Sequence, residues 1–149
     1  MSDTPRTVSS ARELLEITTL HDIVWYELSG RRLTDDEVAA APEPAGEEDA
    51  PLQVMARSSD EEIEVRVRTT TQSPSAVFSV DVGALFSLAT PVDIDPDAMK
   101  DFVQRVGVMA AYPFVREGLF SVAARMRVEA PLLQLLQSNT MNLVSAPAE

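Results

Sequence analysis

Alternation is clearest over residues 61–71, where Ile63, Val65 and Val67 fall on one side and Glu62, Glu64, Arg66 and Arg68 on the other. A period of two with one polar side predicts a strand with one wet face. Residues 76–88 carry a similar pattern. There Val77, Ser79 and Asp81 oppose Phe78, Val80 and Val82, and Gly83 interrupts the alternation as a bulge or a bend. Residues 52–57 read as a shorter strand, and the turns between the three runs are Ser58-Ser59-Asp60 and Gln72-Ser73-Pro74. An earlier run, 20–28, is apolar on both sides, with Ile23 and Trp25 opposite Val24 and Tyr26. Such a strand is expected to be covered twice or to meet a second subunit, and Gly30 is expected to end it. Short connections imply antiparallel pairing, so the core is predicted as a meander of about four strands.

After Thr90 the period lengthens. Asp95-Pro96 is a helix start, with the carboxylate at the N-cap and proline in the first turn. A long helix is predicted over 97–128, where Tyr112, Val115, Leu119, Val122 and Met126 recur at steps of three and four. Phe114 and Phe120 lie off that stripe, so a second helix face is apolar and a subunit contact is expected there. Pro113 predicts a kink near 109–113. Glu129-Ala130-Pro131 breaks the helix; Leu132, Leu133, Leu135 and Leu136 read as an extended piece, and 139–144 as a last short helix. The expected fold class is α+β. A four-stranded antiparallel sheet carries a long helix and a short C-terminal helix on one side, in a single domain over 1–149 with flexible tails at 1–10 and 145–149.

Residues 34–50 interrupt this plan. They hold Asp35, Asp36, Glu37, Glu43, Glu47, Glu48 and Asp49 with Pro42, Pro44 and Gly46, and no base. The segment reads as a mobile acidic loop, or alternatively as an acidic arm for a basic partner. Over the whole chain of 149 residues, 24 acids face 12 bases, a net charge of -12. That balance excludes nucleic acid as a partner and disfavours an anionic membrane surface. The longest apolar run, 106–115, lies between Arg105 and Arg116 and is shorter than the roughly 20 residues a bilayer requires. Residues 1–10 are polar without an export pattern, so the cytoplasm is the expected location.

With no Cys and one His, thiolate and histidine-rich chemistry is excluded by counting. His21 and Asp22 are adjacent, which on a strand sends them to opposite faces. The acids of 34–50 lack calcium-loop spacing. Phosphate-binding glycine loops, nucleophile elbows and His-Glu-x-x-His motifs do not occur. Arg116 and Glu117 read as a surface ion pair. No catalytic residue, cofactor or metal is assigned. What remains is apolar surplus: Trp25, Tyr26, Phe78, Phe86, Tyr112, Phe114 and Phe120, with six Met. Met and aromatic side chains suit surfaces that accept varied apolar partners.

The order of elements, together with Tyr112-Pro113-Phe114-Val115-Arg116-Glu117, Gly83-Ala84-Leu85-Phe86-Ser87-Leu88 and, loosely, His21-Asp22-Ile23, resembles the SecB export chaperones over about 20–144. The resemblance implies a homotetramer, a dimer of dimers with the long helices between dimers. It also implies an ATP-independent holdase that keeps unfolded or slow-folding polypeptides soluble in apolar grooves, with no reaction and no cofactor. On this chain the implied groove residues are Trp25, Tyr26, Phe78, Leu85, Phe86, Leu132 and Leu133. The implied assembly residues are Met109, Tyr112, Phe114, Leu119 and Phe120. Docking on the SecA motor would use Asp22, but the other acidic positions fall on Tyr26 and Ser79, and the C-terminal tail lacks the family's polar, basic extension. The alternatives are a dedicated chaperone of an antitoxin, in a toxin–antitoxin–chaperone system, and an oligomeric adaptor for one fixed partner.

Overall fold

The computed structural model describes residues 4–40, 52–131 and 141–143. Its main sheet contains β2 (Thr18–Arg32), β5 (Ala76–Leu88), β4 (Glu62–Gln72), β3 (Leu52–Ser58) and β7 (Met141–Leu143), in that spatial order. The first four are antiparallel neighbours, as the alternation predicts, and β7 adds in parallel to β3. Residues 141–143 are therefore a strand where a short helix is expected. A backbone segment beside an open sheet edge satisfies its polar groups by pairing, which overrides weak local propensity.

The inner face of the sheet is the core. Phe78, Val80, Val82, Ala84 and Phe86 of β5 and Ile63, Val65 and Val67 of β4 are buried. The covering helix begins as α3 (Pro96–Phe102), passes through a π-helical turn over Val103–Gly107 and continues as α4 (Val108–Met126). Pro96 opens it and Asp95 occupies the N-cap, although its carboxylate makes no cap bond. The departure from α geometry falls in the π turn, ahead of the 109–113 window, and α4 runs as continuous α-helix through Pro113. Phe102 meets Phe86 edge-on at 5.2 Å, which anchors this part of the helix to β5. Arg127 closes α4 in the left-handed region at φ 55°, and Arg32 donates to the Met126 carbonyl at 3.0 Å, placing a cation at the helix C-terminus.

Gly107 is where helix and sheet approach most closely. A Cβ there would stand 2.7 Å from both Cβ and Cγ1 of Val65, a β-branched residue fixed in a central strand. Gly107→Ala is expected to cost about 1–3 kcal/mol by overpacking, read as a lower denaturant midpoint at unchanged slope.

Strand β2 is longer than expected and continues through Gly30. Its registration to β5 shifts between Leu20 and Asp22 and again between Trp25 and Glu27, so His21 and Tyr26 are extra residues. Each bulge resets the alternation. Leu20, Ile23, Trp25, Leu28 and Gly30 all sit opposite inner-face residues of β5, while Asp22, Val24, Glu27 and Ser29 share the outer face. Apolar residues on both sides of 20–28 thus arise partly from two phase changes. Gly30 is needed for helix contact, since a Cβ there would stand 2.6 Å from Met126 Sδ.

Two further expectations are corrected. The N-terminal tail contains β1 (Arg6–Val8), parallel to β6 (Val92–Ile94), and is followed by α1 (Ala11–Glu16). Val8 and Leu14 are fully buried, and that burial offsets the ordering cost. The acidic segment 34–50 begins as α2 (Asp35–Ala40), while 41–50 lie outside the described residues, as do 145–149. A capping box holds α2: the Glu37 amide donates to Thr34 Oγ1 at 3.2 Å and the Thr34 amide to Glu37 Oε1 at 3.1 Å. Arg31 pairs with Glu37 at 2.8 Å, and its hydrogen bonds hold that carboxyl down to about 2.

Candidate functional site

The surface is organised by the packing of α4 over β2. Gly118 allows the contact: a Cβ there would be 2.8 Å from Trp25 Cζ3 and 3.1 Å from Leu28 Cδ1. The indole therefore lies against the helix flank while remaining substantially exposed, in line along β2 with the equally exposed Leu20 and Leu28. Phe114, one turn before Gly118 on the same flank, is 37% exposed. Together they form an apolar strip at the seam between helix and edge strand. Met109 and Phe120 lie about three turns apart on the opposite flank of α4 and are also exposed. An isolated exposed apolar residue is ordinary; aligned large ones mark an interaction surface.

The predicted residues divide between core and surface. Trp25, Tyr26, Met109, Phe114 and Phe120 are exposed. Phe78 and Phe86 are core residues of β5, so they cannot line an open groove of this chain. Tyr112 and Leu119 are buried by their own sheet, which corrects their assignment to a subunit contact. They lie on the main helical stripe, which a single chain already covers. Burial pushes the Tyr112 phenol up in pKa. Leu85 is half-buried on the outer face of the sheet, and Leu132 and Leu133 lie outside the described residues. Trp25 and Tyr26, adjacent in sequence, serve opposite faces.

The outer face carries a polar network that the sequence reading missed. Arg66 binds Asp81 through both Nε and Nη2 at 2.7 Å, and its guanidinium stacks 3.9 Å above the Tyr26 ring centroid. Tyr26 donates to Glu64 Oε2 at 2.5 Å, and Arg57 pairs with Glu64 Oε1 at 2.9 Å. Gly83 makes room, because a Cβ there would be 2.9 Å from Glu64 Oε2 and 3.0 Å from Tyr26 Cε2. Glu64 and Asp81 are only 4% and 3% exposed. Burial, then the Glu64 carboxylate, raises the Tyr26 pKa and keeps the phenol a donor. The available signal was the polar side of two neighbouring strands, with Asp81 on one and Glu64 and Arg66 on the other.

The remaining polar candidates lie apart from this network. His21 Nε2 stands 3.5 Å from Glu62 Oε2 on an exposed part of the sheet. Among the described residues, no cluster of His, Cys, Asp or Glu is placed to hold a metal. Arg116 and Glu117 are exposed and form no ion pair with each other among those residues. Asp22 is exposed on the outer face and accepts from the Ile23 amide at 2.9 Å. No helix among the described residues is long and apolar enough to cross a membrane.

No protein-family model matches the chain. It is similar to the SecB-like chaperone SmegB of Mycolicibacterium smegmatis, with 31% identity over 140 residues, 94% of this chain and 90% of that protein. Among solved structures it is similar to the Mycobacterium tuberculosis Rv1957 SecB-like chaperone, solved in complex with a ChAD peptide from the Rv1956 HigA1 antitoxin. That match has a TM-score of 0.66 at 16% identity and covers 85% of this chain and 93% of that one. The four antiparallel strands, the long helix laid across them and a sequence match that spans nearly the whole chain agree: the chain belongs to the SecB-like chaperone family.

Proposed function

We propose that this protein is an ATP-independent holdase that binds extended, apolar segments of unfolded or slow-folding polypeptide along the seam formed by Leu20, Trp25, Leu28 and Phe114. The exposed apolar seam is the single observation that carries this reading. A chain that binds only the unfolded form of a client withdraws it from aggregation by mass action. The net charge of -12 keeps the loaded chaperone soluble. Met109 and Phe120 are left for a second copy of the chain, in line with the homotetramer that the resemblance implies. Docking on SecA through Asp22 would have to proceed without Asp81 and Glu64 of the same sheet face, which arginines already bind.

A dedicated antitoxin chaperone is the second reading, favoured by the antitoxin peptide bound to the solved relative. Trp25 is the sole tryptophan and reports directly on the seam. A client without tryptophan is expected to shift its emission to the blue, and the protein is expected to suppress aggregation of denatured clients without nucleotide. Trp25→Ser should weaken binding about tenfold at unchanged helix content. Failure to protect several clients, including an antitoxin encoded beside the gene, would discard the reading. Protection of the antitoxin alone would favour the dedicated role.

A further inference from the structure

The N-terminal segment occupies a place that an extended polypeptide fits. Strand β1 has three residues, pairs in parallel with β6, and is the only strand partner of β6 among the described residues. Val8 inserts its side chain completely into the core, its carbonyl accepts from the Asp95 amide at 2.9 Å, and Leu14 of α1 is buried beside α3. These two side chains join the apolar cluster of Phe86, Phe102 and Val103. Around the anchors the segment is loosely held. Thr4 to Thr7 are exposed, Arg6 meets Glu13 only at 3.4 Å, and Leu15 points outward. A three-residue parallel strand and a six-residue helix are both too short to persist alone, so detachment of either releases the other.

We infer that residues 6–16 are a displaceable place-holder, and that the site beneath them, the edge of β6 with the pocket taken by Val8, receives an extended apolar segment of a client polypeptide. The inference rests on the holdase reading and adds a second site and a control to it. When the place-holder lifts, β6 presents unpaired amides and carbonyls beside apolar side chains. A strand from any unfolded chain with one apolar residue at the Val8 position satisfies both, by the same main-chain pairing that β1 uses. Backbone pairing is indifferent to sequence, which suits a binder of varied clients. The closed population lowers the apparent affinity by the fraction of molecules that are open, so the segment sets how readily the site fills.

The test is a reversible lock. Thr7 and Asp93 are direct partners in the β1–β6 register, and adjacent strands bring such positions within disulfide reach. The chain has no cysteine of its own, so Thr7→Cys with Asp93→Cys supplies the only thiols. The probe is reduced, carboxymethylated α-lactalbumin, which stays unfolded. The oxidised double variant should bind it about tenfold more weakly than the same variant reduced, with wild type unaffected by reductant. Equal affinity in the two redox forms overturns the inference. A second measurement needs no client: the Asp95 amide should exchange with solvent far faster than the amides shared by β4 and β5. Protection equal to that of the sheet core also overturns it. If wild type itself binds neither this probe nor the other clients, the holdase reading falls, and the place-holder's role falls with it even where exchange is fast.

Discussion

Leu119→Asp is expected to unfold the chain, whereas Phe120→Asp is expected to leave it folded and to separate its copies. The two positions are neighbours, yet Leu119 is 1% exposed and Phe120 46%. One residue along a helix is a rotation of about 100°, enough to pass from the sheet-facing stripe to an open flank. At 119 the change deletes a core leucine and places a carboxylate without a partner among apolar side chains. The combined cost is about 4 kcal/mol or more, a large part of the roughly 5–15 kcal/mol that stabilises a domain. At 120 the carboxylate is hydrated, and the intrachain cost should stay within about 0.5 kcal/mol. Circular-dichroism melting and sedimentation velocity separate the outcomes. A folded but dissociated Leu119→Asp variant would place that side chain in a subunit contact.

Arg66→Ala should carry the next largest penalty. Asp81 is buried, and both of its oxygens are held by this one guanidinium. Removing the cation leaves the carboxylate unpaired, which for an enclosed pair costs about 3–5 kcal/mol. Arg66 keeps one third of its side chain in water, so about 3 kcal/mol is the expected figure. Combining Arg66→Ala with Asp81→Leu should recover much of the loss, because an apolar group at 81 no longer needs the arginine. Denaturant midpoints of the singles and the double measure this. A loss under about 0.5 kcal/mol for Arg66→Ala would reduce the network to surface decoration.

The contrast between these sites follows what was legible along the chain. Strands β4 and β5 were readable because period-two alternation persists over many residues, and the long helix because Asp95-Pro96 marks its start. The inner face of β5 was misassigned at Phe78 and Phe86 because aromatic residues serve cores and grooves equally, and only three-dimensional neighbours decide between them. Strand β1 has too few residues for any period. Helices α1 and α2 were hidden for another reason. Their signals, Ser10 before Glu13 and Thr34 before Glu37, are capping motifs, which give a starting point without a length. The network of Tyr26, Glu64, Arg66 and Asp81 needed the strand register, since its members come from three strands.

The two bulges of β2 have a consequence for how this strand tolerates change. Each absorbs one unpaired residue: Leu20 and Asp22 face consecutive residues of β5, as do Trp25 and Glu27, so the ladder is continuous without His21 or Tyr26. Deleting His21 would close the ladder with Trp25 still under the helix, whereas deleting Val24, between the bulges, would send Trp25 to the charged side opposite Gly83 and Tyr26 under the helix opposite Val82, with the frame regained at Glu27. A one-residue deletion in this strand should therefore be tolerated at the unpaired His21 and far more damaging anywhere between the two bulges.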